Sequence, residues 1–170
     1  MGKLAKTATD TAGAQSVREG KYLTFTLENE EYGIGILKIR EIIGMMPITA
    51  VPQTPEYVKG VINLRGRVIP VIDLRLRFGM EEIDYTDRTC TIVVEVEKFS
   101  SKITVGIVVD SVSEVMNIKH EEIEETPSFG AALDTRFILG MAKKEGGVKI
   151  LLDIDQVLGQ EEITEFEKAA

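Results

Sequence analysis

Few side chains in this sequence have the types and spacing that catalysis or metal binding requires. The chain has one histidine, His120, and one cysteine, Cys90. His120 stands in HEEIE, which lacks the second histidine of a zinc-binding helix, so we interpret it as a solvated loop residue. Cys90 lies on the apolar face of a strand pattern, and no histidine is near it in the sequence to activate the thiol. Neither residue predicts a catalytic centre.

Glycine-rich and acidic segments also lack the spacing of cofactor or metal sites. Gly33 and Gly35 form GIG without the third glycine of a dinucleotide-binding motif. In GMAKKEGG the lysines precede the glycines and no Ser or Thr follows, so the segment is not a phosphate-binding loop. The acidic run at 121–125 lacks the glycine turn of a calcium loop. We therefore expect no enzymatic activity, no cofactor and no bound metal.

Four arginines remain as polar candidates. Arg65 and Arg67 flank Gly66 in GVINLRGRVIPVIDL, and Arg75 and Arg77 follow in DLRLRFG. One interpretation is a β-barrel that binds nucleic acid with these arginines as its basic stripe. The net charge of −8, from 28 acidic and 20 basic residues, weighs against it. Exposed aromatic residues for base stacking are not evident nearby either. The other interpretation is a β-hairpin tip that turns at Gly66.

Composition favours a folded protein that stays in the cytoplasm. The chain has 170 residues, of which 44% are hydrophobic and 28% charged, which is enough to build a buried core. A single cysteine excludes an internal disulfide bond. Residues 1–20 have no apolar period, which predicts a flexible tail rather than a signal peptide. No apolar run approaches the ~18 residues of a membrane-spanning helix, so we expect no direct insertion into a membrane.

The ordered part of the sequence is rich in strand patterns. Apolar residues alternate with polar ones near residues 22–27 and again from Cys90 onward, which is the period of a β-strand. Asp73 is a predicted N-cap and Gly79 a predicted C-cap of a short helix in DLRLRFG. Apolar residues at helical spacing predict a C-terminal helix over 153–168.

An internal echo relates the two halves of the chain. YGIGILKIREII at 32–43 resembles VGIVVDSVSEVM at 105–116, at a constant offset of 73. GRVIPVIDL at 66–74 resembles GGVKILLDI at 146–154, at an offset of 80. Together with the strand pattern, the echo predicts two similar small β-barrels, each closed by a short helix. We expect the first at about 25–80 and the second at about 85–152.

Four segments closely resemble the CheW-type chemotaxis coupling proteins: EEYGIGILKIREI, VKGVINLRGRVIPVIDLRLRFG, DYTDRT and GIVVDSVSEVMNI. The resemblance covers about residues 21–160. It implies a mainly β fold of two intertwined five-stranded SH3-like barrels with short helices. It also implies a non-catalytic adaptor that couples the cytoplasmic tips of methyl-accepting chemoreceptors to the regulatory domain of the histidine kinase CheA. Such an adaptor is cytoplasmic and is recruited to membrane-associated receptor arrays. A regulatory domain of the kinase itself, which shares the fold, is a further alternative.

The resemblance also implies where partners bind. In the family, the receptor tip lies in an apolar groove between the barrels, and the residues carried over are Leu23, Ile36, Ile39, Ile42 and Val112. If 36–42 is helical, three of them lie near one face. The alternative is that these residues are ordinary core. The kinase is expected on the first barrel, and the candidates there are Ile48, Val51, Val58, Ile62 and Val68.

Glu41 and Arg65 form a separate prediction. Both lie in matched segments of the first half, in elements that should pack together. Arg65 is expected to donate a fork of hydrogen bonds to Glu41 and to fix the hairpin tip beside a partner surface. The alternative is two exposed charges that contribute less than about 1 kcal/mol to stability.

Overall fold

The chain is built almost entirely of short strands. The computed structural model describes residues 19–98, 100–126 and 135–158. Among these residues the strands are β1 Gly20–Leu27, β2 Glu30–Gly35, β3 Ile39–Gly44, β4 Val58–Leu64, β5 Arg67–Asp73, β6 Cys90–Lys98, β7 Ser101–Val109, β8 Ser111–Ile118, β9 Ile123–Glu124, β10 Ile138–Lys144 and β11 Gly147–Leu152. The same residues form the helices α1 Leu74–Arg77 and α2 Ile154–Val157, and 3₁₀ turns at Ile36–Lys38, His120–Glu122 and Thr135–Phe137.

The strands form two sheets with the same arrangement. The first sheet has the order β3-β6-β7-β5-β4, and the second has the order β8-β1-β2-β11-β10-β9. Neighbouring strands are antiparallel, except that β5 is parallel to β7 and β2 is parallel to β11. The two-residue strand β9 gives the second sheet a sixth member. The predicted mainly β fold of two similar units is confirmed.

The sheets exchange hairpins, as the intertwined barrels of the family resemblance imply, so their strands do not follow the approximate division at 25–80 and 85–152. The β1–β2 hairpin pairs with β8 and β11, so it belongs to the second sheet. The β6–β7 hairpin pairs with β3 and β5, so it belongs to the first. Side-chain alternation predicts strands but not their partners, and a division by sequence order therefore does not follow the exchange of the hairpins.

The internal echo corresponds to a repeated unit in three dimensions. Gly33 lies opposite Leu151 in the β2–β11 ladder, and Gly106 lies opposite Val71 in the β5–β7 ladder. A Cβ on Gly33 would lie 3.0 Å from Leu151 Cδ2, and one on Gly106 would lie 3.3 Å from Val71 Cγ2. Each glycine therefore leaves room for the side chain of its parallel neighbour, at equivalent positions of the two halves.

Buried apolar side chains form one core that both sheets share and a smaller core in each sheet. The shared core joins residues such as Phe25 and Ile34 of the second sheet to Ile92 and Ile107 of the first. The buried members of the two smaller cores are Ile62, Ile69, Val71 and Val108 in the first sheet and Tyr22, Ile118, Ala142 and Leu151 in the second. The two sheets thus bury one face against each other and the opposite face within themselves.

Both short helices begin at a capping aspartate. Asp73 accepts hydrogen bonds from the backbone N–H groups of Arg75 and Leu76, as predicted, and Asp153 accepts one from Asp155. Gly79 follows α1 with a φ of +77°. The predicted helix over 153–168 is described only to residue 158, and residues 1–18 of the predicted tail also lie outside the described residues. Gly20, placed in that tail, begins β1.

Candidate functional site

Four of the five predicted receptor-binding residues belong to the shared core or pack against it. Leu23 is fully buried within that core, so only its neighbours are accessible to a partner. Ile36, Ile39 and Val112 are half-buried against the core's edge. Ile42 is 45% exposed. The structure therefore places Leu23 inside the shared core and leaves the other four residues at least partly accessible, and their role in receptor binding stays a prediction.

A β-bulge, and not a helix, brings Ile39 and Ile42 to one face. The 3₁₀ turn ends at Lys38, and both residues belong to β3. Ile39 pairs with Val94 and Ile42 with Ile92, and the register shifts by one residue between Ile39 and Glu41. Val94 and Ile92 are two apart and face the shared core. Because β3 has one extra residue at the bulge, Ile39 and Ile42 point to the same face of the sheet although they are three residues apart. The condition that 36–42 is helical is therefore met only at the 3₁₀ turn Ile36–Lys38.

The same bulge recurs in the second sheet and exposes a residue that the sequence analysis missed. Val112 pairs with Phe25 and Val115 with Leu23, with a register shift between Leu23 and Phe25. Val115 is 50% exposed, close to the 45% of its equivalent Ile42. The internal echo aligns Val115 with Ile42 at the offset of 73, and this alignment is the sequence signal that could have identified Val115. We call Ile36, Ile39, Ile42, Val112 and Val115 the junction surface.

Leu37 is a second residue that the sequence analysis missed. It lies in the 3₁₀ turn between Ile36 and Lys38, and its side chain is almost entirely exposed. Lys38 contacts Asp155 through a 2.6 Å ion pair, so the turn is held against α2. Nothing in the apolar run GILKI distinguishes an outward leucine from its inward neighbours, which is why the sequence pattern did not single it out.

The predicted kinase-binding residues divide into core and surface. Val58 is buried in the shared core, and Ile62 is buried in the core of the first sheet. Ile48 is half-buried against that smaller core. Val51 and Val68 are exposed, and Val68 is the more accessible at 65%. Val58 and Ile62 therefore stabilise the fold, and only Val51 and Val68 present a substantial apolar surface to a partner.

Arg65 and Glu41 form a two-pronged ion pair at the hairpin tip. The guanidinium donates to both carboxylate oxygens of Glu41, over 3.0 Å and 2.5 Å. Arg65 and Gly66 have φ values of +51° and +87°, and the Gly66 N–H donates to Asn63 Oδ1. Two successive positive φ values are typical of the tight turn that joins two antiparallel strands. Whether this pair serves a partner stays a prediction.

The arginines do not form a basic stripe. Arg75 is buried and donates to both carboxylate oxygens of Asp110. Arg77 donates to the carbonyl oxygen of Val157 and lies over aromatic rings. Arg65 is held by Glu41. Because three of the four guanidinium groups are engaged within the chain, the nucleic-acid interpretation loses most of the basic stripe on which it rested.

Asp110 is an ionised carboxylate in a partly buried position at the junction of the sheets. Burial alone raises the pKa of its carboxyl. The hydrogen bonds from Arg75 and from the backbone N–H of Glu28 outweigh burial and hold the pKa of Asp110 below its ordinary value. The carboxylate therefore remains ionised and ties α1 to the turn between β1 and β2.

The remaining chemical candidates have ordinary structural surroundings. Cys90 is half-buried, and burial raises the pKa of its thiol, which favours the unreactive protonated form. His120 is exposed, and its backbone N–H donates to Glu19 Oε1. Within the described residues, no cluster of His, Cys, Asp and Glu has the arrangement of a metal site. No helix in that part of the chain is long and apolar enough to cross a lipid bilayer.

Known proteins with the same sequence features and fold were found by comparison. The family model for the CheW-like domain matches residues 21–162. Chemotaxis protein CheW of Klebsiella aerogenes is 38% identical over 170 residues, covering 100% of this chain and 96% of that protein. Chemotaxis protein CheW of Bacillus subtilis is 35% identical, covering 83% and 88%.

A solved structure agrees with these sequence relationships. The crystal structure of the scaffolding protein TtCheW from Thermoanaerobacter tengcongensis has a TM-score of 0.72 and 36% sequence identity, covering 82% of this chain and 92% of that one. The resemblance predicted from the sequence is thereby confirmed. With its two hairpin-exchanged sheets and a family match over nearly all its described residues, the chain belongs to the CheW-like family of chemotaxis proteins.

Proposed function

We propose that this chain is a non-catalytic adaptor that couples transmembrane chemoreceptors to a CheA-type histidine kinase. One surface binds the cytoplasmic tip of a methyl-accepting chemoreceptor, and another binds the regulatory domain of the kinase. The adaptor acts in the cytoplasm, where it is recruited to membrane-associated receptor arrays. Membership of the CheW-like family supports the chemotaxis setting, and the relative described as a scaffolding protein supports the adaptor role.

The observation that carries the proposal is the presence of exposed apolar residues in two different parts of the fold. The junction surface lies along the rim of the shared core, on β3 and β8 and in the 3₁₀ turn that precedes β3. Val68 lies near the tip of the β4–β5 hairpin. Apolar side chains that remain exposed on a strand-rich surface are typical of protein-binding sites.

The junction surface fits a helical partner. Ile42 and Val115 are exposed, while Ile36, Ile39 and Val112 are half-buried around them. A helical hairpin, which is the form of the receptor tip in the family, offers apolar side chains at intervals of three and four residues. Such a stripe buries its side chains against apolar residues at the edge of a core.

Binding both partners on one rigid body is the proposed mechanism. When the adaptor holds a receptor tip, it raises the effective concentration of the kinase domain near that receptor. Glu41 is the neighbour of Ile42 on β3, and Arg65 stands at the tip of the β4–β5 hairpin that carries Val68. Their ion pair fixes the hairpin tip against β3. We include this pair in the proposal as the support of the kinase-binding tip.

Calorimetric titration with each partner tests the proposal. The ligands are a receptor fragment that contains the helical tip and the isolated kinase regulatory domain. Ile42→Ala should weaken receptor binding by about 1–2 kcal/mol, or roughly tenfold, and leave kinase binding unchanged. Val68→Ala should weaken kinase binding by a similar amount and leave receptor binding unchanged.

Each substitution is the matched control for the other, because both remove part of an exposed side chain from the first sheet. The thermal stability of both variants should remain close to that of the parent, since neither residue is buried. A folded parent protein that binds neither ligand would sink the proposal. Equal losses for both ligands in both variants would contradict the assignment of separate surfaces.

A further inference from the structure

Arg77 is the last residue of α1, and its side chain extends from the first sheet's helix to elements of the second sheet. Its Cζ lies 5.0 Å from the ring centroid of Tyr57 and 4.9 Å from that of Phe137. Tyr57 precedes β4 of the first sheet, and Phe137 precedes β10 of the second. The guanidinium therefore contacts one aromatic ring from each half of the molecule.

Tyr57 and Phe137 are equivalent residues of the two halves, at the offset of 80. The carbonyl oxygen of Tyr57 accepts a hydrogen bond from the Asp73 N–H over 2.7 Å. The carbonyl oxygen of Phe137 accepts one from the Asp153 N–H over 2.8 Å. The backbone of each aromatic residue is thus hydrogen-bonded to the capping aspartate of its own half. Arg77 lies between the rings of these two equivalent residues.

Arg77 also has an asymmetric contact across the junction. Its Nε donates to the carbonyl oxygen of Val157 over 2.6 Å. Val157 is the last residue of α2, as Arg77 is of α1, and the two residues are equivalent at the offset of 80. One half therefore supplies the side-chain donor of this hydrogen bond, and the other half supplies the backbone acceptor at the equivalent position. Phe137 stacks on Phe78 as well, with centroids 5.8 Å apart. The guanidinium therefore connects both helices and both rings.

We propose that Arg77 is a positioning residue that fixes the orientation of the first sheet relative to the second. The planar guanidinium stacks on two rings while its Nε remains directed at a carbonyl, a combination that a lysine ammonium does not reproduce. Because the kinase-binding tip belongs to the first sheet and the junction surface spans both, this orientation sets the geometry of the two sites. That consequence for signalling rests on the proposed function.

A distance measurement between the sheets tests the positioning role without any partner. Nitroxide labels are attached to Arg67→Cys in the first sheet and Asn117→Cys in the second, both exposed positions, in a Cys90→Ala background. Pulsed dipolar spectroscopy should give one narrow distance distribution for this labelled parent. Arg77→Met should broaden or shift the distribution, and Arg77→Lys should restore part of the parent's width. Lys143→Met removes a cation that pairs with Glu124 within the second sheet, and it should leave the distance distribution unchanged.

A folded Arg77→Met protein with the parent's distribution would overturn the proposal, because Arg77 would then add stability without setting orientation. Near-ultraviolet circular dichroism establishes that each variant is folded. Phe137→Leu keeps an apolar side chain but removes one of the two rings on which the guanidinium stacks. It should therefore change the distance distribution in the same way as Arg77→Met. If Arg77→Met fails to fold, this second variant decides the question alone.

A binding arm tests the consequence for the adaptor. Arg77→Met should retain the parent's affinity for each partner alone to within about twofold. The kinase domain should bind at least about tenfold less tightly to the adaptor in receptor assemblies, because misoriented sites lose the gain in effective concentration. Loss of either separate affinity would contradict a positioning role. If the parent binds neither partner, the proposed function fails while the distance measurement still decides the role of Arg77.

Discussion

Within the described residues the chain crosses twice between the sheets, and both crossovers are held by an ion pair whose charges are exchanged. The early crossover is the 3₁₀ turn Ile36–Lys38 between β2 and β3, and the late crossover is Asp110 between β7 and β8. At the late crossover Arg75 of α1 binds Asp110, with nitrogen–oxygen distances of 2.7 Å. At the early crossover Asp155 of α2 binds Lys38 over 2.6 Å.

The hairpin of the other sheet takes part in both arrangements. Asp110 accepts the N–H of Glu28 from the second sheet, and Asp155 accepts the N–H of Glu97 from the first. Arg75 and Asp155 stand at equivalent positions, 80 residues apart, and they carry opposite charges. Helix, crossover and facing hairpin are therefore linked at equivalent positions of both halves, with opposite signs of charge on the helix.

Burial distinguishes the two crossovers. The side chains of Arg75 and Asp110 are 11% and 20% exposed, whereas those of Lys38 and Asp155 are 36% and 22% exposed. Arg75 also donates two hydrogen bonds to its partner carboxylate. A buried, two-pronged pair is harder to break than a half-exposed single contact. We therefore expect the late crossover to contribute more to stability.

The largest asymmetry between the halves is expected at Gly60 and its equivalent Gly140. Gly60 has a φ of +141°, and a Cβ there would lie 2.0 Å from the carbonyl oxygen of Thr49. A Cβ on Gly140 would lie 2.8 Å from Ile123 Cγ2, a side chain that is able to shift, and 3.0 Å from the backbone carbonyl oxygen of Glu124, a full ångström farther than the backbone contact at Gly60. Gly60→Ala should cost about 3–5 kcal/mol from backbone strain and overpacking, and Gly140→Ala about 1–3 kcal/mol. Urea denaturation measures both, and equal costs would contradict the difference in backbone contact.

The crossovers themselves are compared by replacing one cation in each with a side chain of similar length. Arg75→Met should cost about 3 kcal/mol, because it leaves the carboxylate of Asp110 partly buried without its partner. Lys38→Met should cost less than about 1 kcal/mol, because the pair is half-exposed. Urea denaturation of the two variants beside the parent gives both values. Losses of similar size would show that burial does not distinguish the crossovers.

Acidification provides a finer test of the late crossover. The pKa of Asp110 is lowered in the folded state, so its ionised form contributes stability above the unfolded pKa of about 3.9 and loses that contribution as the pH falls through the folded value. The stability difference between the parent and Asp110→Asn should therefore be largest near neutral pH and shrink below about pH 4. Chemical denaturation at several pH values measures it. A difference that stays constant down to pH 3 would contradict the role of the carboxylate.

The repeated unit was predictable from the residue pattern, whereas the exchange of hairpins was implied only by the family resemblance, as two intertwined barrels. Gly33 and Gly106 stand out in the echo because each lies opposite a large side chain of a parallel strand. The partners of the β1–β2 and β6–β7 hairpins are chosen by contacts between distant segments. Two similar halves have equivalent strands, so the alternation of apolar residues fits either choice of partner.

The candidate site residues came from the family resemblance rather than from spacing, and their binding roles stay a prediction. Ile39 and Ile42 were grouped through the resemblance, with a common face expected only if the segment is helical. They share a face because β3 contains a bulge, which the local sequence pattern does not predict. The sequence did not distinguish the buried residues Val58 and Ile62 from the exposed residue Val68. An apolar residue in a strand gives the same sequence pattern whether it faces a core or solvent. Val115 was available from the echo through its equivalence to Ile42.

The most direct test of the adaptor proposal is nuclear magnetic resonance of the labelled chain during titration with a receptor-tip fragment. The account predicts that shift changes concentrate on the junction surface, at Ile36, Ile39, Ile42, Val112 and Val115, and leave Val68 unchanged. The kinase regulatory domain should give the converse pattern. Receptor-induced changes confined to the hairpin tip at 65–68, or no changes in a folded sample, would contradict the account.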